Sequence, residues 1–217
     1  MEDIRECIGC NICYAGDSLG VPIRCTQNPT MGEEWRRGWH PEVLPNKTSN
    51  DSILIVGSGP SGLEAAHALG KRGYQVLLAE EKEIIGGRVV LESKLPSLNE
   101  WIRVKDYRQQ QFLKLPNVEV FLKSKLETKD ILDTDVNHVV IATGAKWRSD
   151  GFGRSNTLPI KKLSNYKNIY NPDDIMQGLI PSGKVVVFDD DYYYLAPVSY
   201  THLRAHETRE DRGCRGG

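Results

Sequence analysis

The chain has 217 residues, with 28 Lys and Arg against 29 Asp and Glu for a formal net charge of −1. That balance lacks the basic footprint of a nucleic-acid binder, and the longest apolar runs, ILIV at 53–56 and VVIA at 139–142, are far too short to cross a bilayer. The length fits one full domain and part of another, enough for a sizeable core.

The start, MEDIRECIGC, is acidic and polar, unlike a signal peptide. Five cysteines without a secretory leader suit a reducing, cytoplasmic setting, where thiols bind metal or do chemistry more often than they pair. Cys7, Cys10, Cys13 and Cys25 form C-x2-C-x2-C-x11-C. Two-residue spacers let one loop wrap a single centre, and a remote fourth thiolate completes the corners of a [4Fe-4S] cube. Zinc also takes four thiolates, but usually from two separated C-x2-C knuckles, and a third cysteine inside the first suits it poorly. Disulfides are the remaining alternative. Gly9 lets the loop backbone approach an inorganic core. Cys214 is remote and is left out of the ligand set.

Residues 26–51 hold Pro29, Pro41, Pro45, Gly32 and Gly38 and read as an irregular connector ending in a polar linker. Within it Trp35, Arg36, Arg37 and Trp39 could form a stacking surface for nucleic acid, but with no basic excess elsewhere the Trp side chains are expected to pack over the cluster or against a neighbouring domain. At 53–56 the apolar run reads as a parallel strand buried on both faces. It ends in Gly57-Ser58-Gly59-Pro60-Ser61-Gly62. A helix follows with Leu63, Ala66 and Leu69 on one side, then a strand at 76–79 ending in Glu80, an acid 18 residues after the last glycine. This strand–turn–helix context is the dinucleotide-binding one. Gly57 permits the turn, Gly59 the approach of a pyrophosphate and Gly62 the helix–strand packing; Glu80 can accept from a ribose 2′-OH. The helix N-terminus supplies free N–H groups.

IGGRV at 85–89 is a second glycine turn. NEWIRVKDYRQQQFLKLP predicts a helix with Trp101, Val104, Phe112 and Leu115 on one stripe. VEVFLKS predicts a strand alternating at Val118, Val120 and Leu122, and HVVIATGA a further buried strand. NPDDIMQG predicts a short helix with N-cap Asn171, Pro172 at its first position and Gly178 past its end. KVVVF predicts a new strand from 184. Alternating strands and helices give an α/β fold: a Rossmann-like, FAD/NAD(P)-binding three-layer domain, incomplete, preceded by an irregular cluster loop. No catalytic residue is assigned. Ser61 fails the G-x-S-x-G elbow because residue 63 is Leu, and His40, His67 and His138 are isolated and read as packed or solvent-facing.

Taken together, CIGCNIC…CTQN, GEEWRRGWHPE, LIVGSGPSGLEAAHALGKRGY, IGGRV, VVIATGA and FDDDYYYLAP resemble the C-terminal half of trimethylamine- and dimethylamine-dehydrogenase-type iron–sulfur flavoproteins. The wider family includes histamine dehydrogenase and 2,4-dienoyl-CoA reductase. The resemblance covers about residues 1–197. It implies a [4Fe-4S] cluster on Cys7, Cys10, Cys13 and Cys25. It implies an ADP moiety at Gly57, Gly59, Pro60, Ser61, Gly62 and Glu80, extending to Gly87, Arg88, Thr143 and Gly144. The amine branch holds ADP itself and the reductase branch FAD. It further implies that FMN and substrate sit in a (β/α)8 barrel belonging to the parent protein only. Electrons would leave to an electron-transferring flavoprotein, and the parent would be a homo-oligomer.

The resulting expectation is a cluster segment and linker at 1–50, an ADP/FAD-binding domain at 51–182, the start of a truncated second nucleotide-type domain at 183–197, and a non-native tail at 198–217 in which His202 and His206 are accidental neighbours. The primary functional expectation is an electron-transfer fragment of an amine dehydrogenase, inactive on substrate by itself. A fragment of an NADPH-dependent enoyl reductase with FAD is the first alternative, and a non-enzymatic nucleotide-binding module with zinc the second. Asp189, Asp190 and Asp191, followed by Tyr192, Tyr193 and Tyr194, stand where the reductase branch needs a glycine-rich loop for NADPH. Carboxylates there would repel a pyrophosphate, which favours the amine branch with ADP.

Overall fold

A computed structural model of the chain describes residues 4–33, 35–36, 43–153, 155–161, 163 and 166–188. The acid and tyrosine run at 189–194, the tail with His202, His206 and Cys214, and Arg37, Trp39, His40 and Pro41 lie outside the described residues. Contacts divide the chain into two units, Met1–Ser93 with Glu100–Gly144, and Lys94–Asn99 with Ala145–Gly217. The first unit therefore takes in the cysteine segment together with the sheet.

Four strands form that sheet: β1 (Ser52–Val56), β2 (Gln75–Ala79), β3 (Val118–Phe121) and β4 (His138–Ile141). They lie in the order β3-β2-β1-β4, and every pairing is parallel, with Ile53 opposite Val76 on one side and His138 on the other. Parallel strands need long crossovers, which helices supply. Those helices are α2 (Pro60–Lys71) between β1 and β2, and α3 (Val89–Glu92), a 3-10 turn (Asn99–Ile102) and α4 (Arg103–Phe112) between β2 and β3. α5 (Thr128–Leu132) lies between β3 and β4, and α1 (Ile12–Ser18) lies in the cysteine segment.

β1 is central and its residues face two layers alternately. Ile53 and Ile55, with Val76, Leu78 and Val118, pack against Leu63 and Ala66 of α2 and Phe112 of α4. Leu54 and Val56, with Ala79, pack against Leu126, Ile131 and Val136 on the other face. This is the α/β Rossmann-like fold expected from the alternation of elements.

Several expectations are corrected. β4 forms, but it is not buried: Val139 is 41% and Ile141 64% exposed. The order puts β4 at the edge, so only Val140 and Ala142 reach the core. β3 is the other edge. Val118 is buried, but Val120 and Leu122 are exposed. The long helix expected from residue 99 begins as a 3-10 turn and becomes α-helical only at Arg103. Its buried stripe carries Arg108, at 3% exposure, between Val104 and Phe112. The cysteine loop is not wholly irregular, since Cys13 rides on α1. Trp35 does not pack over the cysteines; it is exposed, with the Arg36 guanidinium 5.6 Å from its ring centre.

In the second unit, α6 (Pro172–Met176) forms as its capping residues predict. Asn171 Oδ1 accepts from the amides of Asp173 at 2.8 Å and Asp174 at 3.1 Å, while the Asn171 amide donates to Asp174 Oδ2 at 2.9 Å, a reciprocal capping box. No strand is present at 184–188, where Val186 and Phe188 are exposed. Three consecutive valines favour an extended chain, but a strand needs a partner, and this segment has none among the described residues.

Candidate functional site

β1 ends where two neighbouring crossovers leave on opposite sides, the position at which open parallel sheets bind ligands. Gly57 sits there with φ +101°. A Cβ on it would stand 2.5 Å from the Ala142 carbonyl oxygen and 3.1 Å from Thr143 Cα, so Ala142 and Thr143 after β4 lie directly against the first glycine turn. Gly62 is buried, and a Cβ there would overlap the Gly57 carbonyl oxygen and come within 3.0 Å of its carbon. Helix α2 can therefore rest on the turn only because residue 62 has no side chain. Its first hydrogen bond runs from the Leu63 amide to the Gly59 carbonyl at 2.9 Å. The Ser61 and Gly62 amides ahead of it are left without an intrahelical acceptor. Gly59 faces open space, with nothing within 4 Å of a built Cβ.

The second glycine turn closes on the first. The Gly86 amide donates to the Ser58 carbonyl at 2.9 Å, and a Cβ on Gly87 would lie 3.0 Å from Gly59 Cα. Gly57, Gly59, Pro60, Ser61, Gly62, Gly87, Thr143 and Gly144 are thus gathered at the C-terminal ends of β1 and β4, with Arg88 at the end of the second turn.

Glu80 has work that its spacing did not reveal. It is 5% exposed. Its Oε2 accepts from the Ser58 amide at 2.9 Å and the Ser58 hydroxyl at 2.6 Å, and its Oε1 accepts from the Lys82 amide at 2.9 Å. Burial pushes the carboxyl up, but the Ser58 hydroxyl and the Lys82 and Ser58 amides outweigh it and hold it below its ordinary value. Glu80 braces the glycine turn from beneath.

The four cysteines are all free thiols, Cys7 exposed and Cys10, Cys13 and Cys25 half-buried. Among the described residues no three His, Cys, Asp or Glu side chains are drawn close enough to hold one metal ion. A cluster spreads its thiolates over separate irons, so its ligands stand further apart than those of a single ion. The loop chemistry fits thiolates: the Gly9 amide donates to Cys7 Sγ at 3.4 Å and the Gln27 amide to Cys25 Sγ at 3.3 Å. Cys10 Sγ and the Thr26 hydroxyl lie 3.0 Å apart. Gly9 and Asn11 take positive φ, +67° and +56°, a conformation that glycine and asparagine adopt more readily than other residues.

A polar network that the motifs did not point to docks this loop on the sheet's helices. Arg108 on α4 places Nε and Nη2 each 2.7 Å from Glu64 Oε2 on α2, and Arg5 Nη2 lies 3.4 Å from Glu64 Oε1. His67, isolated in sequence, is buried with its Nδ1 3.3 Å from Arg5 Nη2. Ile8, between Cys7 and Cys10, is buried against Val89 and Val104. One signal in the sequence could have found this: an arginine on the apolar stripe Val104, Arg108, Phe112 needs a buried anion.

Burial pushes Glu64 up, but His67, with Nδ1 3.8 Å from Glu64 Oε1, and the Arg108 and Arg5 charges outweigh it and hold it at about 2 against an ordinary 4.5. A depressed acid stabilises the fold fully above its unfolded pKa, and that stabilisation fades as pH falls toward the folded value. Stability should therefore drop between about pH 4.5 and pH 2, by on the order of 3 kcal/mol. Chemical denaturation across that window tests it: Glu64→Gln should be less stable at pH 7 and should flatten the acid slope, and an unchanged slope would refute the pairing.

Comparison with known proteins agrees with this geometry. Residues 51–187 match the model of the pyridine nucleotide-disulphide oxidoreductase family. Dimethylamine dehydrogenase of Hyphomicrobium sp. (strain x) is 43% identical over 205 residues, which cover 91% of this chain and 28% of that protein. Among solved structures, 6-hydroxypseudooxynicotine amine oxidase from Pseudomonas geniculata N1 is 48% identical with a TM-score of 0.87, over 94% of this chain and 31% of that one. Histamine dehydrogenase from Rhizobium sp. 4-9 is 47% identical with a TM-score of 0.83, over 94% and 30%. The chain thus spans less than a third of the length of these relatives. A glycine site at the switch point of a parallel sheet, in a chain that begins with a cysteine loop and is matched along nearly its whole length by amine dehydrogenases, makes this chain a member of the pyridine nucleotide-disulphide oxidoreductase family, of the trimethylamine- and dimethylamine-dehydrogenase type.

Proposed function

We propose that this chain is the electron-transfer and nucleotide-anchoring part of an amine-dehydrogenase-type iron–sulfur flavoprotein. Cys7, Cys10, Cys13 and Cys25 hold a [4Fe-4S] cluster, and the glycine turns hold the ADP moiety of a nucleotide. The observation that carries this reading is the pair of N–H to sulfur bonds, at Cys7 from Gly9 and at Cys25 from Gln27. When bound, the cluster supplies one-electron chemistry between a flavin and an outside acceptor, for which an electron-transferring flavoprotein is the proposed partner. The oxidation of an amine at FMN belongs to the whole protein, and this chain contributes no catalytic side chain to it.

The chain's own residues bind and orient. The Ser61 and Gly62 amides and the N-terminus of α2 meet the pyrophosphate, Gly59 leaves it room, and Glu80 accepts from the ribose. The likeness to amine-oxidising relatives supports ADP over FAD as the nucleotide.

Calorimetry on the 217-residue chain tests this. ADP should bind with one-to-one stoichiometry, and Glu80→Ala should weaken it at least tenfold, because the variant loses both the ribose acceptor and the brace on Ser58. FAD copurifying stoichiometrically, or NADPH binding tightly in competition with neither, would move the assignment to the reductase type.

A further inference from the structure

Gln27 follows Cys25 by two residues and is 2% exposed. All four of its polar groups are engaged. Its amide N–H donates to Cys25 Sγ at 3.3 Å, and its carbonyl accepts from Arg5 Nη1 at 2.9 Å. In the side chain, Nε2 donates to the Glu6 carbonyl at 3.3 Å and Oε1 accepts from Arg108 Nη1 at 3.1 Å. A buried carboxamide is costly unless satisfied, and here its partners come from two places. Glu6 belongs to the arm carrying Cys7, Gln27 to the arm carrying Cys25, and Arg108 to α4. Gln27 ties the two arms of the loop to each other and to the helix layer.

Arg108 is itself immobilised. Two of its nitrogens meet Glu64 Oε2, and Nη1 also donates to the Val104 carbonyl at 2.7 Å. The Gln27 side chain is therefore held by a distant helix pair as well as by the loop.

We propose that Gln27 is a positioning residue for Cys25: clamped by Arg108, it keeps its backbone N–H aimed at the sulfur and so raises the reduction potential of the group that sulfur binds. This rests on the cluster reading of the cysteines. The reduced cluster carries one more negative charge than the oxidised one. An N–H dipole directed at a ligand sulfur stabilises that charge, and hydrogen bonds to the sulfurs are among the levers that set cluster potentials. A loosened amide removes part of that stabilisation, so the potential falls.

The experiment is an anaerobic redox titration of the reconstituted 217-residue chain, followed by electron paramagnetic resonance, alongside iron and sulfide analysis. Gln27→Met fills the same volume without the carboxamide. It should load the same iron and sulfide and titrate at a lower potential than the unaltered chain. Arg108→Lys keeps the charge beside Glu64 but lacks the planar fork that grips Glu64 and Gln27 together; it should shift the potential in the same direction by less. In the metal-free chain, hydrogen exchange of the amide at position 27 should speed up several-fold in Gln27→Met. Loaded variants with an unchanged or raised potential would overturn the proposal and leave the cluster reading intact. Failure of the unaltered chain to take up iron and sulfide would overturn the cluster reading itself, and unchanged exchange at position 27 would overturn the clamp independently of either.

Discussion

Anaerobic incubation with ferrous iron and sulfide should turn the chain brown, with iron and labile sulfide in equal amounts. Replacing Cys7, Cys10, Cys13 or Cys25 by Ala should abolish that uptake, because each thiolate holds a separate iron corner. Cys214→Ala should leave it unchanged. The fold should survive the four replacements. The loop is docked by Ile8 against Val89 and Val104, by the Gln27 side-chain contacts to Glu6 and Arg108, and by Arg103 Nη1 donating to the Cys7 carbonyl at 3.2 Å, none of which uses a sulfur. The exception is α1, seven residues long with no buried residue. A helix so short is not stable by itself, and a cluster bound at Cys13 would tie it to the loop. Amide exchange over 12–18 should be fast in the metal-free chain and slow after loading. Uptake of stoichiometric zinc without sulfide, or a Cys13→Ala chain that still loads fully, would sink the four-cysteine assignment.

The second large effect is expected at the glycine turn, where two replacements of the same size should fail differently. In Gly62→Ala the new methyl meets the Gly57 carbonyl, a backbone group that cannot rotate away. Helix α2 must lift from the turn, which loosens the packing of Leu63 and Ala66 under the sheet. Overpacking of this kind costs roughly 1–3 kcal/mol, and more where backbone blocks relief. At ~2–4 °C per kcal/mol for a chain of this size, the melting temperature should fall by about 5 °C or more, and ADP binding should be lost. Gly59→Ala differs because its backbone is already extended, φ −65° and ψ 178°, and a Cβ there meets nothing. Melting should barely change, yet ADP should bind at least tenfold more weakly, since the methyl occupies the space left for the pyrophosphate. Wild-type melting in Gly62→Ala would show that helix and turn do not touch as described. Wild-type ADP affinity in Gly59→Ala would place the nucleotide elsewhere.

Much of this molecule is legible in local sequence. The run at 53–56 becomes the central strand because a segment apolar at every position can be stable only with both faces covered, and Ile53 through Val56 are buried. The order of glycines in GSGPSG specifies a strand–turn–helix joint through the conformations those positions allow, and α6 follows from Asn171 and Pro172 because capping acts within one turn. The cysteine spacing likewise supplies the proposed ligand set without any knowledge of the sheet.

Tertiary structure decided what depends on residues far apart in the chain. VVIA at 139–142 reads as buried, yet Ile141 is exposed, because strand order and not hydropathy puts β4 at the edge. Glu80 reads as a ribose acceptor from its spacing, but the Ser58 hydroxyl 22 positions earlier also claims it. Gln27, Glu64 and Arg108 carry no motif. Arg108 stands 44 positions from Glu64 and 81 from Gln27, and only the stacking of α4 on α2 brings the three together. Local rules reach a few residues along the chain, whereas a buried charge must find its partner wherever packing delivers one.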